Sequence, residues 1–222
     1  MIVAEQKPLN EIMELTAGYP RLLILGCGTC VKTCFAGGQD EVAALASQLR
    51  LAYRLKGQDV QISEFTVERQ CEDEFIQEAA GQVGACDGVL SLACGAGIQD
   101  IARRFASVPV LPGVNTTFVG AMEDRGLFTE ECICCGDCRL GQYGAICIYT
   151  RCAKKLANGP CGGSKNGKCE VNPETDCAWQ QIIDRMKTLG RLEDLQTYVP
   201  PRDWRTSHAG GPRKLLREDM AV

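Results

Sequence analysis

Between Arg21 and Gly26 the chain reads Leu-Leu-Ile-Leu without a polar break. A short apolar run ending in glycine predicts a strand buried on both faces. From Asp40 to about Lys56 the apolar positions change period. Val42, Leu45, Leu49 and Ala52, with Tyr53 and Leu55 nearby, fall at helical spacing, and Asp40 is a suitable N-cap. Asp59–Val67 alternates as a second strand does, and Glu72–Gln82 is helical again. Gly88–Ala93 predicts a third strand, Ile98–Ser107 a helix and Val108–Val114 a fourth strand. Strand and helix alternating at this length predict an α/β fold: a small parallel-sheet, Rossmann-like domain over residues 1–125, with helices on both faces.

After residue 125 that alternation stops. Residues 126–200 are rich in cysteine, glycine and short polar turns, which predicts a loop-rich, metal-binding domain. Its one periodic stretch is Asp176–Leu189, where Trp179, Ile182, Ile183, Met186 and Leu189 form one face of a C-terminal helix and Gly190 stands ready to cap it. Residues 201–222 carry basic side chains without apolar periodicity and predict an extended tail suited to partner docking. Trp204 between Arg202 and Arg205 has the composition of an interface anchor, whereas His208 reads as a solvated tail residue.

Composition narrows the chemistry. The 222 residues are 45% hydrophobic and 23% charged, as in ordinary globular proteins, with a net charge of −4. Nothing basic enough to meet nucleic-acid phosphates is present. No apolar run reaches the roughly 20 residues a membrane span needs. The first residues, MIVAEQKPLNEIMEL, lack the basic-then-apolar order of a secretory leader, so the expected location is the cytoplasm. In that reducing compartment fifteen cysteines are more readily metal ligands than disulfides, and an odd count cannot pair completely. With one histidine in the chain, any metal site must be all-thiolate, which means zinc or iron–sulfur.

In the first half the cysteines sit where predicted strands end, the edge at which ligands gather on open α/β sheets. Cys27, Cys30 and Cys34 follow the first strand, Cys71 the second and Cys94 the third. Three local thiolates plus a remote one can wrap a 4Fe–4S cluster. Cys71 and Cys94 are both placed to be the fourth, with Cys71 preferred, and Cys86 reads as a buried structural thiol. The competing reading makes the run Cys27–Cys34 a set of incidental buried thiols. Gly26-Cys-Gly28 and Gly95-Ala-Gly97 are fragments of a dinucleotide loop and neither completes it.

The second half concentrates nine cysteines between Cys132 and Cys177. Cys132, Cys135 and Cys138 repeat at the spacing of the bacterial ferredoxin loop, in which each sulfur can reach a different iron. Cys147, Cys152, Cys161, Cys169 and Cys177 follow. Setting aside Cys134, which adjoins Cys135, leaves eight thiols for two four-coordinate sites. Cys132, Cys135 and Cys138 with one later cysteine are the preferred first set, and interleaving stays open. Zinc competes with iron–sulfur, and one cluster with one zinc ion fits the same residues.

The stretch Glu131-Cys132, Cys135-Gly-Asp-Cys138-Arg-Leu140, Cys147, Thr150-Arg-Cys152-Ala-Lys154, Asn158-Gly-Pro-Cys161-Gly-Gly163, Gly167-Lys-Cys169-Glu170 and Asp176-Cys177-Ala-Trp179 resembles the small iron–sulfur (MetV-type) subunit of acetogen-type methylenetetrahydrofolate reductase. Cys27-Gly-Thr-Cys30, Cys34 and Ser91-Leu-Ala-Cys94-Gly-Ala-Gly97 resemble the same family. The chain departs from it in the extra Cys134 and in Ile148, where the family tends to have proline.

The resemblance implies two or three 4Fe–4S clusters held by these cysteines, and a subunit of an oxidoreductase complex without catalytic residues of its own. It implies a TIM-barrel partner whose flavin, FMN or FAD, reduces methylenetetrahydrofolate to methyltetrahydrofolate in one-carbon metabolism of the Wood–Ljungdahl type. A further electron-carrier subunit is compatible with it. The alternatives are a zinc-stabilised scaffold of the same complex and an adaptor for a corrinoid-dependent methyl-transfer system.

Overall fold

The computed structural model describes residues 1–217 and 219. The chain divides into two compact units, Met1–Thr129 and Glu130–Val222.

The first unit runs β1 (Ile2–Gln6), α1 (Leu9–Leu15), β2 (Arg21–Cys27), α2 (Cys30–Thr33), α3 (Gln39–Leu55), β3 (Gln61–Val67), α4 (Asp73–Glu78), α5 (Ala80–Gly84), β4 (Gly88–Ser91), α6 (Gly95–Arg104), β5 (Val110–Pro112) and β6 (Val114–Asp124), with β7 (Leu127–Cys132) reaching its boundary. Four strands form a parallel sheet in the order β3-β2-β4-β5. The unbroken apolar run of β2 is explained by cover on both faces. Leu22 and Ile24 pack with Ile12 of α1 and Val42, Leu45 and Leu49 of α3. Leu23 and Leu25 point the other way, to Ile76 of α4, Val83 of α5 and Ile101 of α6. Helices therefore lie on both sides of the sheet, as the alternating pattern predicts.

The stretch 72–82, expected as one helix, is broken at Ala79 into α4 and α5, and two further features differ from that pattern. The cap of α3 is Gly38 rather than Asp40, and the Glu41 carboxylate accepts a 2.9 Å bond from the Gly38 N–H. Asp40 lies in the first turn, where its charge still meets the positive end of the helix. The last difference is larger. A separate three-stranded sheet, β1-β6-β7, stands beside the parallel one, with β1 antiparallel to β6. Its register joins Ile2 to Val119 and Gln6 to Val114, residues more than a hundred positions apart. No local periodicity reports a pairing of that range.

The second unit is held by a small apolar cluster and by loops. Among the described residues its regular elements, after the end of β7, are α7 (Ile148–Arg151), α8 (Ala178–Thr188) and four short 3-10 turns. Trp179, Ile182 and Met186 of α8 are buried with Tyr143, Ile148 and Val199, while Leu189 is exposed. Trp179 meets Tyr143 edge-on at 6.0 Å and donates its ring N–H to the Leu156 carbonyl at 3.0 Å. Asn158 pairs twice with the backbone of Val199, at 2.9 and 2.7 Å, and so ties the cysteine loops to the chain that follows α8. Gly190, with φ of +66°, ends the helix as the sequence predicts. Among the described residues no helix is long and apolar enough to cross a membrane.

Candidate metal centres

All fifteen cysteines are free thiols. The structure gathers fourteen of them at three places and leaves Cys86 buried beside Val83, whose carbonyl accepts from its Sγ at 3.3 Å.

The first place is the edge of the parallel sheet where β2, β3 and β4 end. Cys27 closes β2, Cys71 lies in the turn after β3, and Cys94 is the N-cap of α6 after β4. This edge contains the switch point of the sheet, since the chain leaves β2 for β3 on one side and returns to β4 on the other. Burial pushes the Cys71 thiol up, and the neighbouring Cys27 and Cys94 push it in the same direction. Cys27 and Cys94 are thus near enough for their charge to act on Cys71. Cys30 opens α2 and Cys34 ends it. Cys34 is buried, its Sγ 3.6 Å from the Val31 carbonyl, and burial raises its thiol, with Cys30 adding to the rise.

The loop that carries Cys27–Cys34 is pinned at both ends. The Cys27 N–H donates to the Gly37 carbonyl at 2.9 Å, and the Gly28 N–H to the Val67 carbonyl at 2.9 Å. Gly37 itself leaves no room for a side chain, because a Cβ there would stand 2.0 Å from the Leu92 carbonyl.

Gln70, fully buried, organises the same edge and went unnoticed in the sequence. Its amide donates to the carbonyls of Leu25 and Gly26 at 2.9 and 3.0 Å, and its Oε1 accepts from the Ser91 hydroxyl at 2.6 Å. One side chain thus ties the ends of β2 and β4 to the residue just before Cys71. A lone glutamine in a turn carries no signal of burial, so only the packed sheet reveals it.

The second place is a cavity of about 200 Å³ in the second unit. Cys132 enters it from the end of β7, Cys134, Cys135 and Cys138 from the loop that follows, and Cys147 from the N-cap of α7. Ile133, Tyr143, Ile148, Tyr149 and Arg202 complete much of the wall. The loop takes its sharp path through left-handed backbone at Cys134 (φ +52°) and Gly136 (φ +80°). The Cys134 N–H points at the Cys132 sulfur from 3.3 Å. The chain after Pro200 braces this loop: Thr206 Oγ1 donates to the Cys135 carbonyl at 2.9 Å and Arg213 to that of Cys134 at 2.6 Å. Trp204 rests edge-on against Tyr149 at 5.4 Å and keeps part of its surface exposed. Of the predicted docking tail, residues 218 and 220–222 lie outside the described residues.

The third place is a much smaller cavity, about 20 Å³, lined by Cys152, Cys161, Cys169 and Cys177. The Gly163 N–H meets the Cys161 sulfur at 3.4 Å. Backbone N–H groups of Asn172 and Val171 hold the Cys169 thiol below its ordinary value. Cys177 caps α8, and its N–H donates to the Gly167 carbonyl at 2.7 Å.

The two cavities divide the nine cysteines strictly by chain order, without interleaving. Among the described residues no three Cys, His, Asp or Glu side chains converge to the geometry of a bound ion. The donor set still suits soft metals: thiols, approached by backbone N–H groups of the kind that stabilise metal-bound thiolates.

Residues 111–205 match the family described as methylene-tetrahydrofolate reductase C terminal. That segment, a little under half the chain, contains both cavities, all nine cysteines and Arg202. It relates the cysteine-rich part of this protein to methylenetetrahydrofolate reductase. No curated protein and no solved structure matches the chain.

Proposed function

We propose that this chain is the electron-transfer subunit of a methylenetetrahydrofolate reductase complex and works through thiolate-held metal centres. The carrying observation is the cavity of about 200 Å³, walled by five cysteines, inside the segment that matches the reductase family. An iron–sulfur cubane takes four thiolates and needs room for its eight core atoms. At roughly 10–15 Å³ per water-sized site, this cavity has that room. Cys132, Cys135, Cys138 and Cys147 are the proposed ligands, with Cys134 beside them. When bound, such a group accepts and releases one electron at a time. The partner would be a flavin-containing subunit that reduces methylenetetrahydrofolate with two electrons and two protons, receiving the electrons singly through this chain.

The smaller cavity favours a second occupant. About 20 Å³ admits little more than one water-sized group, which fits a single zinc ion in a tetrahedral cage of Cys152, Cys161, Cys169 and Cys177 better than a cubane. The strand-end group Cys27, Cys30, Cys34, Cys71 and Cys94 is the proposed third site. Cys27, Cys71 and Cys94 stand at the same ends of the neighbouring strands β2, β3 and β4, which supports including all three.

Iron, sulfide and zinc content of the anaerobically purified chain tests this reading. The expected result is a brown protein bleached by dithionite, with about four irons from the large cavity, a further share from the strand-end site and about one zinc. It should co-purify with a folate-binding flavoprotein. A colourless chain with zinc alone would leave only the scaffold reading, and a corrinoid protein as partner would replace the reductase by a methyl-transfer system.

A further inference from the structure

Arg202 is a buried cation in the wall of the large cavity, and among the described residues it makes no salt bridge of its own. It is 8% exposed, and neither Nε nor Nη1 has a hydrogen-bond partner among the described residues. Burying a guanidinium without an acceptor is costly, and native proteins avoid it unless a bound group completes the site. Asp137, a carboxylate that acts on Arg202 through its charge, is bound elsewhere: its Oδ2 accepts from Arg139 at 3.0 Å.

The guanidinium is also held in place. It lies 4.3 Å from the ring centre of Tyr149 and 5.6 Å from that of Trp204. The backbone on either side is anchored, with the Pro200 carbonyl accepting from Arg139 at 2.9 Å and Thr206 bound to Cys135. The Tyr149 side chain also accepts a hydrogen bond from the guanidinium, which leaves Nε and Nη1 as the donors without a partner among the described residues. The same residue lines the cavity that the cysteines occupy.

We propose that Arg202 is the counter-cation of the large cavity: its unpaired N–H groups donate to a sulfur of an anionic iron–sulfur group held by Cys132, Cys135, Cys138 and Cys147, and raise its reduction potential. This rests on the reading that the cavity holds such a group. The logic is electrostatic. A cubane with four thiolates is an anion, and accepting one electron adds one negative charge while no bond or proton moves. A fixed cation at hydrogen-bond distance therefore stabilises the reduced form more than the oxidised one. In the complex the electron would come from or go to the partner's flavin. In the test it comes from dithionite.

The experiment is a redox titration of the whole chain, loaded anaerobically and followed by the electron-paramagnetic signal of the reduced centres, alongside iron and sulfide analysis. Arg202→Met keeps the stem that packs on Tyr149 and removes the charge. It should retain the metal content and lower the potential of one centre by about tenfold in its reduction equilibrium, or ~59 mV for one electron, leaving the others unchanged. Arg202→Gln should do the same if the methionine variant folds poorly. Trp204→Ala loosens the same stack but keeps the cation, so its potentials should stay at the wild-type values. A charge-removing variant with full iron and unshifted potentials overturns the proposal while the cluster reading stands. An equal shift in Trp204→Ala assigns the effect to packing and also overturns it. A wild-type chain without iron overturns the cluster reading and this proposal with it.

Discussion

Gln70→Met is the sharpest test of how the strand-end site is built. Methionine has nearly the length and volume of glutamine, so it empties little space and removes three hydrogen bonds. The Leu25 carbonyl keeps its bond from Leu92 N–H, and the Ser91 oxygen still accepts from Ala93 N–H, so those two groups are not wholly orphaned. What disappears is the pair of amide bonds to Leu25 and Gly26 and the acceptor for the Ser91 hydroxyl. At about 1 kcal/mol for each bond, the loss is about 3 kcal/mol. For a unit of this size, with roughly 4 °C per kcal/mol, the melting temperature should fall by about 12 °C.

Thermal and urea unfolding of the full-length apo-protein, followed by circular dichroism, reads the effect directly. Ser91→Ala removes two bonds, to Gln70 and from Ala93 N–H, and should cost about 2 kcal/mol, and the double variant should lose about 1 kcal/mol less than the sum, because both single changes remove the Ser91–Gln70 bond. A Gln70→Met variant within about 0.5 kcal/mol of wild type would show that the network contributes nothing net, a possibility within the known spread of hydrogen-bond energies. The ends of β2 and β4 would then be held by packing alone.

Gly37→Ala should destabilise the first unit by about 2 kcal/mol or more, since a Cβ would stand 2.0 Å from the Leu92 carbonyl, and a melting curve checks it. Gly136→Ala combines a φ of +80° with a Cβ 2.3 Å from the Thr206 carbonyl, so it should free the segment after Pro200 to limited proteolysis and lower the bound iron. Cys135→Ser should lose metal from the large cavity while Cys134→Ser keeps it, and equal iron content in the two variants would remove the distinction between them. In the apo-protein, alkylation should reach Cys169 at lower pH than Cys34. The thiolate is the reactive form, backbone N–H groups favour it at Cys169, and burial disfavours it at Cys34, as pH-resolved mass spectrometry of the labelled sites would show.

The sequence by itself determined the parallel sheet, its helices and the grouping of cysteines at strand ends. These are written in local periodicity: four leucine-rich residues mark a strand covered twice, and Val42, Leu45 and Leu49 mark the face of α3 that covers it. The same locality made α8 legible through Trp179, Ile182 and Met186. Tertiary structure alone decided whatever joins distant parts of the chain. Ile2 finds Val119 by hydrogen bonds that carry no periodic mark, so the second sheet is invisible in the string of residues. Cysteine spacing showed that eight thiols could serve two sites, but only the folded loops assigned Cys147 to one cavity and Cys152 to the other. Gln70 and Arg202 were unreadable for a single reason. A polar side chain looks the same in sequence whether water or a buried carbonyl, sulfur or ring surrounds it, and burial is a property of the packed chain.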